Sequence, residues 1–249
     1  MRMDAHTTKT AIVTGASSGI GMAVARKFLQ SGWTVGLLAR SEVRLREVAS
    51  GFQKAIVLPA DVTVPEQVDA AFGVFIAQAG RIDVLFNNAG VFTTAALIDE
   101  TSLEDWTLAR SVNLDGMFLA ARAAFGQMRK QSPKGGRIIN NGSVSAHAPR
   151  WGAAPYTVTK HATTGLTRQL ALDGRPFDIA CGQIDIGNAE TDLLRGIAEA
   201  AVDRGENPPP SFNVLHVADC VLAMSELPLT ANVLFQTIIA TQMPFVGRG

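Results

Sequence analysis

Residues 9–30 decide the fold, and they read Lys9-Thr-Ala-Ile-Val13, then Thr14-Gly-Ala-Ser-Ser-Gly-Ile-Gly21, then Met22-Ala-Val-Ala-Arg-Lys-Phe-Leu-Gln30. A short apolar run followed by glycines and then by apolar residues at helical spacing predicts a strand, a turn and a helix. Glycines at such a turn let backbone N–H groups approach a ligand, and a helix N-terminus favours a negatively charged phosphate. A glycine turn on its own is equally compatible with a purely structural role.

Further apolar runs follow along the chain, each with a turn signal and a longer periodic stretch after it. They are Thr34–Leu38, Ala55–Leu58, Val84–Phe86, Arg137–Ile139 and Asp178–Cys181, with a last run at Asn232–Ala240 that we expect at a sheet edge. Their apolar residues are consecutive rather than alternating, which is typical of strands covered by helices on both faces. The sequence therefore predicts an α/β fold with a doubly wound, mainly parallel sheet and right-handed crossovers.

Composition limits the classes of function. The 249 residues are 47% hydrophobic, enough for one large core, so we expect a single domain over residues 1–249. Lys+Arg and Asp+Glu both number 22, which leaves no net charge to attract nucleic acid or an anionic membrane. The polar start, Met1–Lys9, and the lack of an apolar run of about 20 residues favour a soluble, cytoplasmic protein. Cys181 and Cys220 lack metal-ligand spacing, so we expect free thiols and no metal site.

The candidate chemistry lies in Ser143 and in the cassette Tyr156-Thr-Val-Thr-Lys160. Residues four apart share a helix face, so the Lys160 ammonium can approach the Tyr156 phenol and stabilise its phenolate. Tyr156 then becomes a usable proton donor, and Ser143, at the end of a predicted strand, can hydrogen-bond a substrate oxygen. A surface helix pair and a strand-end turn residue are the ordinary alternatives for these side chains.

Five motifs in register resemble the short-chain dehydrogenase/reductase family, in its non-extended branch. They are Thr14-Gly-Ala-Ser-Ser-Gly-Ile-Gly21, Asn87-Asn-Ala-Gly90, Asn113, Ser143 and Tyr156-x-x-x-Lys160, and the similarity spans about Thr10–Thr191. The resemblance implies a Rossmann-type domain and hydride transfer with a nicotinamide dinucleotide. It also implies that Asn113, Ser143, Tyr156 and Lys160 are the catalytic residues, with the Asn113 backbone holding a water that connects Lys160 to solvent.

The same resemblance implies the cofactor-binding residues. They are Gly15, Ser17, Ser18, Gly19, Ile20, Gly21, Arg40, Asp61, Val62, Asn87, Ala89, Gly90, Tyr156, Lys160, Gly187, Ala189 and Thr191. After the second strand the chain reads Ala39-Arg40, where an acidic residue at the first position would favour NAD and an arginine at the second favours NADP. We therefore expect NADP, with NADPH preferred over NADH. The ordinary alternative for Arg40 is a solvated loop residue.

The predicted function is an NADP(H)-dependent alcohol dehydrogenase or carbonyl reductase acting on a small ketone, aldehyde or alcohol. By resemblance we expect a homodimer or homotetramer, with the helices around Asn113 and Tyr156 at its principal interface. A 3-oxoacyl thioester reductase shares every motif quoted, and a non-catalytic NADP-binding sensor could use the same fold.

The segment after the sixth strand departs from the family pattern, because Ile186 stands where most members have proline. Without that fixed φ, and with Pro208-Pro-Pro210 at its far end, residues 188–212 are expected to form a substrate loop or lid. His147, Trp151 and Asn188 are candidate substrate contacts; a hydrogen-bonded loop histidine and a packing tryptophan are the alternatives for the first two. Trp33 and Trp106 are expected to pack.

Overall fold

Strands and helices alternate along most of the chain in the structure, a computed structural model that describes residues 9–203 and 205–246. The strands are β1 (Thr10–Thr14), β2 (Thr34–Ala39), β3 (Ala55–Pro59), β4 (Val84–Asn87), β5 (Gly136–Asn141), β6 (Ile179–Ile186), β7 (Ala189–Glu190), β8 (Phe212–Asn213) and β9 (Phe235–Ile238). The α-helices are α1 (Gly19–Gln30), α2 (Glu42–Ala49), α3 (Pro65–Ala79), α4 (Leu103–Arg110), α5 (Gly116–Lys130), α6 (Ala154–Gly174), α7 (Asp192–Asp203) and α8 (Leu215–Glu226).

The central sheet has the order β3-β2-β1-β4-β5-β6-β9, and every neighbouring pair in it is parallel. The strand order reverses at β1, which lies between β2 and β4, so a crevice opens beyond the carboxyl ends of these strands. The predicted doubly wound α/β fold is confirmed. The run Asn232–Ala240 supplies the predicted edge strand as β9, where Ile238 lies opposite Ile186.

Both faces of the sheet are buried, which explains the consecutive apolar residues of its strands. In β1, Val13 belongs to the core cluster formed with Phe28 and Val217 of α1 and α8. Its neighbour Ile12 belongs to the cluster on the other face, which includes Phe75 of α3. Complete burial of side chains of this size contributes about 1.5–3 kcal/mol each, so two helical layers stabilise one rigid sheet.

A buried arginine joins β5 to the chain that leads into β9. Arg137 is 1% exposed; its Nη1 donates to Asn232 Oδ1 at 3.0 Å, and its Nη2 donates to three carbonyls, those of Leu227, Pro228 and Ala231. Burial lowers the pKa of its guanidinium. Arg137 therefore anchors the loop that leads into the edge strand β9. The apolar pattern of the sequence did not indicate this long-range contact.

Other predictions concern the thiols and the chain ends. Cys181 and Cys220 are both free, as predicted, and burial raises the pKa of each thiol.

Among the described residues, no helix is both long and apolar enough to cross a membrane. The polar N-terminal residues 1–8, Arg204 before the triple proline, and the C-terminal residues 247–249 lie outside the described residues. Residues 206–211 adopt neither helix nor strand, as the prolines predicted.

Candidate active site

A cavity of about 610 Å³ opens beyond the carboxyl ends of the central strands. Most of the predicted site residues line it: Gly15, Ser17, Ser18, Gly19, Ile20, Arg40, Asp61, Val62, Ala89, Gly90, Ser143, Tyr156, Lys160, Gly187, Asn188, Ala189 and Thr191. Five others lie outside the described cavity wall: Gly21, Asn87, Asn113, His147 and Trp151. Residues that are far apart in the sequence, from Gly15 to Thr191, thus meet around one cavity.

The glycine turn forms a cradle at the N-terminus of α1. Gly15 and Gly19 have positive φ angles of 68° and 51°, and a Cβ on Gly15 would lie 2.9 Å from Asn88 Nδ2. A Cβ on Gly21 would overlap the Gly15 carbonyl, so Gly21 is needed for the packing of turn on helix. The N-cap residue Ser18 makes no side-chain cap bond, which leaves first-turn N–H groups for a ligand. These features fit the pyrophosphate of a dinucleotide.

Asn88, which the predicted residue set did not include, holds the cradle together. Thr14 Oγ1 accepts the N–H groups of Asn88 and Ala89 at 2.8 and 2.9 Å, and Asn88 Nδ2 donates to the Thr14 carbonyl at 2.9 Å. Asn141 Nδ2 donates to Asn88 Oδ1 at 2.8 Å. One amide therefore joins the carboxyl ends of β1, β4 and β5, which places the glycine turn beside the end of β5 that leads to Ser143.

The predicted cofactor residue Asn87 faces the protein interior. It is 1% exposed, and its Nδ2 donates to the Met117 carbonyl at 2.7 Å and to Asn140 Oδ1 at 3.2 Å. These bonds attach β4 to α5 and β5. Asn87 thus steadies the sheet, while its neighbours Ala89 and Gly90 line the cavity.

Two arginines line the cavity beyond β2. Arg40 follows the strand directly, and Arg44 lies in the first turn of α2, whose N-cap Ser41 accepts the Arg44 N–H through Oγ at 3.4 Å. Arg44 was not among the predicted residues, although its position four residues after Arg40 is the available signal. On the β3 side of the cavity, Asp61 Oδ1 accepts hydrogen bonds from the N–H and the Oγ1 hydroxyl of Thr63. These bonds orient the Asp61 carboxylate at the cavity wall.

Tyr156 and Lys160 lie on one face of α6, as their spacing predicted. Lys160 is 3% exposed; its Nζ donates to the Asn141 carbonyl at 2.7 Å and lies 5.5 Å from the Tyr156 ring centroid. The Phe92 ring also contacts the Tyr156 ring, with centroids 5.1 Å apart. The phenol ring is therefore near both an aromatic ring and a buried cation, and Tyr156 and Lys160 both line the cavity.

Ser143 begins a short 3₁₀ turn, Val144–Ala146, just after β5. It is 4% exposed, and its Oγ accepts the Ser145 N–H at 3.1 Å. Because that bond uses the oxygen as an acceptor, the hydroxyl hydrogen remains to donate into the cavity. The position suits a substrate oxygen between Ser143 and Tyr156.

Asn113 lies in a single π-helical turn, Ser111–Asp115, between α4 and α5. Its Oδ1 accepts the Val91 N–H at 2.7 Å, and its Nδ2 donates to the Val91 carbonyl at 2.9 Å and to Thr159 Oγ1 at 3.3 Å. The side chain therefore fastens the loop after β4 to α6. A π turn breaks the regular helical ladder and is frequent at functional sites.

The chain after β6 closes the cavity from the opposite side. Ile186 and Gly187 line it, and Thr191 packs over the glycine turn so closely that a Cβ on Gly19 would lie 3.3 Å from Thr191 Cγ2. Asn188 Nδ2 donates to the Pro210 carbonyl at 3.0 Å, and Arg150 Nη2 donates to Asn188 Oδ1 at 2.8 Å. β7 then pairs with β8, so residues 188–212 leave the sheet and return beside their own start.

The remaining candidates lie away from the cavity. Trp151 is 87% exposed, and the His147 imidazole contacts the buried Asp185 carboxylate. Trp33 is buried and stacks on Phe28, as the packing interpretation predicted, while Trp106 is 37% exposed. Direct substrate contact by His147 and Trp151 stays a prediction, and the structure gives His147 the hydrogen-bonded alternative.

Comparison with known proteins agrees with this geometry. Residues 9–201 match the family model for short chain dehydrogenase. An uncharacterised oxidoreductase of Staphylococcus epidermidis is 34% identical over 226 residues, covering 90% of this chain and 94% of that protein. Meso-2,3-butanediol dehydrogenase of Serratia marcescens is 36% identical, covering 82% of this chain and 79% of that protein.

A solved structure is also similar over nearly the whole length. L-sorbose reductase from Gluconobacter frateurii, complexed with NADPH and L-sorbose, superposes with a TM-score of 0.85 at 27% identity, covering 94% of this chain and 96% of that chain. The family match, the relatives and the shared fold all agree with the motifs that line the cavity. The chain therefore belongs to the short-chain dehydrogenase family of oxidoreductases.

Proposed function

We propose that the protein is an NADP(H)-dependent alcohol dehydrogenase or carbonyl reductase that interconverts a small ketone or aldehyde with its alcohol. One observation carries the proposal: Ser143, Tyr156 and Lys160 line the same cavity as the glycine cradle at the start of α1. A cofactor seated in the cradle and a substrate beside Tyr156 would share one enclosure, which hydride transfer requires.

Reduction of a carbonyl needs a hydride on carbon and a proton on oxygen, and a bound nicotinamide cofactor supplies the hydride. Tyr156 donates the proton from its phenol to the substrate oxygen. Ser143 donates a hydrogen bond to the same oxygen and holds it against the phenol. Lys160, held by the Asn141 carbonyl, places a positive charge where phenolate develops, which favours loss of the proton.

Arg40 and Arg44 support the preference for NADP. Both arginines line the cavity at the end of β2, and Ala39 stands where an acidic residue would bind a free ribose hydroxyl. A planar guanidinium matches a phosphate geometrically, so two of them suit a 2′-phosphate. L-sorbose reductase, the similar solved structure, contains NADPH, which agrees with this assignment.

A homodimer or homotetramer is proposed through α4, α5 and α6. These helices expose large apolar side chains: Leu103, Trp106, Leu108, Phe118, Val158 and Leu172. Contiguous exposed apolar residues are typical of interfaces. Light scattering after gel filtration would measure the assembly, and Phe118→Asp should shift it towards a smaller species; a wild-type monomer would contradict the proposal.

The free thiols are compatible with a cytoplasmic location.

The function is tested by a screen of aldehydes, ketones and alcohols, with NADPH and NADH side by side, read as absorbance of the reduced cofactor. The panel should include a short 3-oxoacyl thioester, because a 3-oxoacyl thioester reductase would carry the same residues. Turnover of a simple ketone above the thioester supports the proposal. Tight NADPH binding without turnover of any substrate would favour the non-catalytic sensor.

A further inference from the structure

A fully buried carboxylate lies behind Ser143. Asp185 in β6 is 0% exposed; its Oδ1 accepts the Ser143 N–H at 3.0 Å and the Gln183 amide at 2.7 Å. Its Oδ2 lies 2.7 Å from His147 Nε2. Burial of an ionised carboxylate is costly unless its oxygens are bonded, and here both are bonded.

The chain leaves room for this carboxylate at Gly142. A Cβ built on Gly142 would overlap Asp185 Oδ1 and lie 2.7 Å from Gln183 Nε2. Any larger residue there must displace the carboxylate from the Ser143 N–H. Gly142 and Asp185 are therefore matched in shape across neighbouring strands.

We propose that Asp185, supported by His147, is a positioning residue that fixes Ser143 for reaction with the substrate oxygen. The proposal rests on the proposed function, in which Ser143 binds that oxygen. The Ser143 backbone is held by Asp185, and its Oγ accepts from Ser145, so two bonds together aim the hydroxyl hydrogen. A displacement of about 1 Å in such a group can lower a rate by about 10²-fold.

His147 completes the arrangement from the solvent side. Its side chain is 44% exposed, and its ring also contacts Phe245, with centroids 6.2 Å apart. A carboxylate oxygen accepts hydrogen bonds, so this contact calls for the form of His147 in which Nε2 carries the hydrogen. The imidazole therefore hydrogen-bonds the second carboxylate oxygen, Oδ2, and keeps the Asp185 side chain oriented towards Ser143.

The first test compares Asp185→Leu with Asp185→Asn. Leucine removes both acceptors and leaves the Ser143 N–H unpaired, so kcat should fall about 10- to 100-fold with little change in the Kd for NADPH. Asparagine keeps an acceptor oxygen for the Ser143 N–H, and its amide nitrogen can donate to Nε2 of the other His147 tautomer, so this variant should retain most of kcat. Met128→Ala, at a fully buried position of α5, is the control for lost stability: it should lower Tm without lowering kcat. Equal kcat in Asp185→Leu and wild type would overturn the proposal.

The second test separates hydrogen bonding from space filling. Gly142→Ala should reproduce the kcat loss of Asp185→Leu, because the new methyl displaces the carboxylate. Gly142→Ala combined with Asp185→Ala removes the overlap with the carboxylate, leaves the new methyl 2.7 Å from Gln183 Nε2 and supplies no acceptor, so kcat should stay low. Recovery of wild-type kcat in the double variant would show that only space matters and would overturn the positioning role.

His147 is tested by matched variants. His147→Gln retains an N–H donor that can reach Asp185, whereas His147→Ala removes it. The alanine variant should lose kcat, and the glutamine variant should recover most of it. Equal loss in both, with unchanged Tm, would exclude support through the hydrogen bond.

A readout independent of turnover distinguishes this proposal from the proposed function. In isotope-labelled protein, the Ser143 amide proton should resonate furthest downfield in wild type, less so in Asp185→Asn, whose acceptor oxygen is neutral, and furthest upfield in Asp185→Leu, which has no acceptor. An unchanged resonance would overturn the positioning role. Failure of the wild-type protein to reduce any carbonyl would instead overturn only the proposed function.

Discussion

Two walls of the cavity are held in different ways. The α6 wall carries Tyr156 and Lys160 on a helix of 21 residues, and its buried side chains bond to other elements, Lys160 to Asn141 and Thr159 to Asn113. The opposite wall, residues 188–212, is closed on itself by the two-residue pairing of β7 with β8 and by the bond from Asn188 to Pro210.

We expect this difference to separate the residues of the chemical step from those of substrate selection. A helix bonded to β5 and to the π-helical turn keeps reactive groups within hydrogen-bond reach, which general acid catalysis needs. A wall joined at its base can move as a unit without disturbing them, as substrate loops do. Changes in the α6 wall should therefore alter turnover, and changes in the other wall should alter substrate affinity and dynamics.

Lys160→Ala should have the largest effect. The substitution removes the buried cation beside the phenol and the donor to the Asn141 carbonyl. Turnover should fall by about 10²–10⁴-fold, as for a lost acid–base function, and cofactor binding should weaken as well. Steady-state kinetics with fluorescence titration of NADPH would measure both. Wild-type turnover in this variant would mean that the α6 wall does not carry the chemistry.

Tyr156→Phe should isolate the proton donor. The ring keeps its contact with Phe92, so the cavity wall should be preserved while the hydroxyl is lost. Turnover is expected to drop by about 10²–10⁴-fold with the NADPH Kd nearly unchanged. The contrast with Lys160→Ala lies in cofactor affinity: if Tyr156→Phe weakened NADPH as strongly, the division of roles between the two residues would be wrong.

Arg40 and Arg44 lie on neither wall, so they should change cofactor choice alone. A charge-assisted bond to the 2′-phosphate contributes about 1.5–3 kcal/mol, which is about ten- to a hundredfold in affinity. Arg40→Ala should weaken NADPH by that factor and barely affect NADH, and the double variant with Arg44→Ala should weaken it further. Lys54→Ala, whose ammonium bonds the Gly32 carbonyl on the protein surface, is the charge-matched control. Equal affinity of the unmodified protein for both cofactors would remove the basis for this role.

Local pattern and resemblance predicted much of the fold and site. Consecutive apolar runs indicate strands buried on both faces, and a spacing of four puts Tyr156 and Lys160 on one helix face. What the sequence did not reveal depends on residues far apart: Asn88 bonds Thr14 across 74 positions, and Asp185 bonds Ser143 across 42. The burial of Arg137 likewise depends on carbonyls 90 or more residues away. A short-range pattern carries no information about which polar side chains meet in this way.

The smallest effect on turnover is expected in the opposite wall, where we predict that residues 188–212 act as a lid. Ile186 is held in β6 by its pairing with Ile238, so movement of the segment would begin after Gly187, while the prolines stiffen the far end. Amide hydrogen exchange should show low protection there in the cofactor-free enzyme and higher protection when NADP and a ketone analogue are both bound. β5 serves as the internal reference. Unchanged protection with saturating ligands would contradict the lid and favour a preformed wall, with Ile186 limiting substrate size.

Asn188→Ala sharpens the same prediction, because Asn188 bonds both Pro210 and Arg150. Each lost hydrogen bond contributes about 0.5–1.5 kcal/mol, so opening of the segment should become easier by about 1–3 kcal/mol. Exchange of the Ser211 and Phe212 amides, which follow the prolines, should accelerate, and KM should rise while kcat changes little, because Tyr156, Lys160 and Ser143 remain anchored on the other side. A fall in kcat with constant KM would place Asn188 with the chemistry, and the separation of the two walls would then fail at this residue.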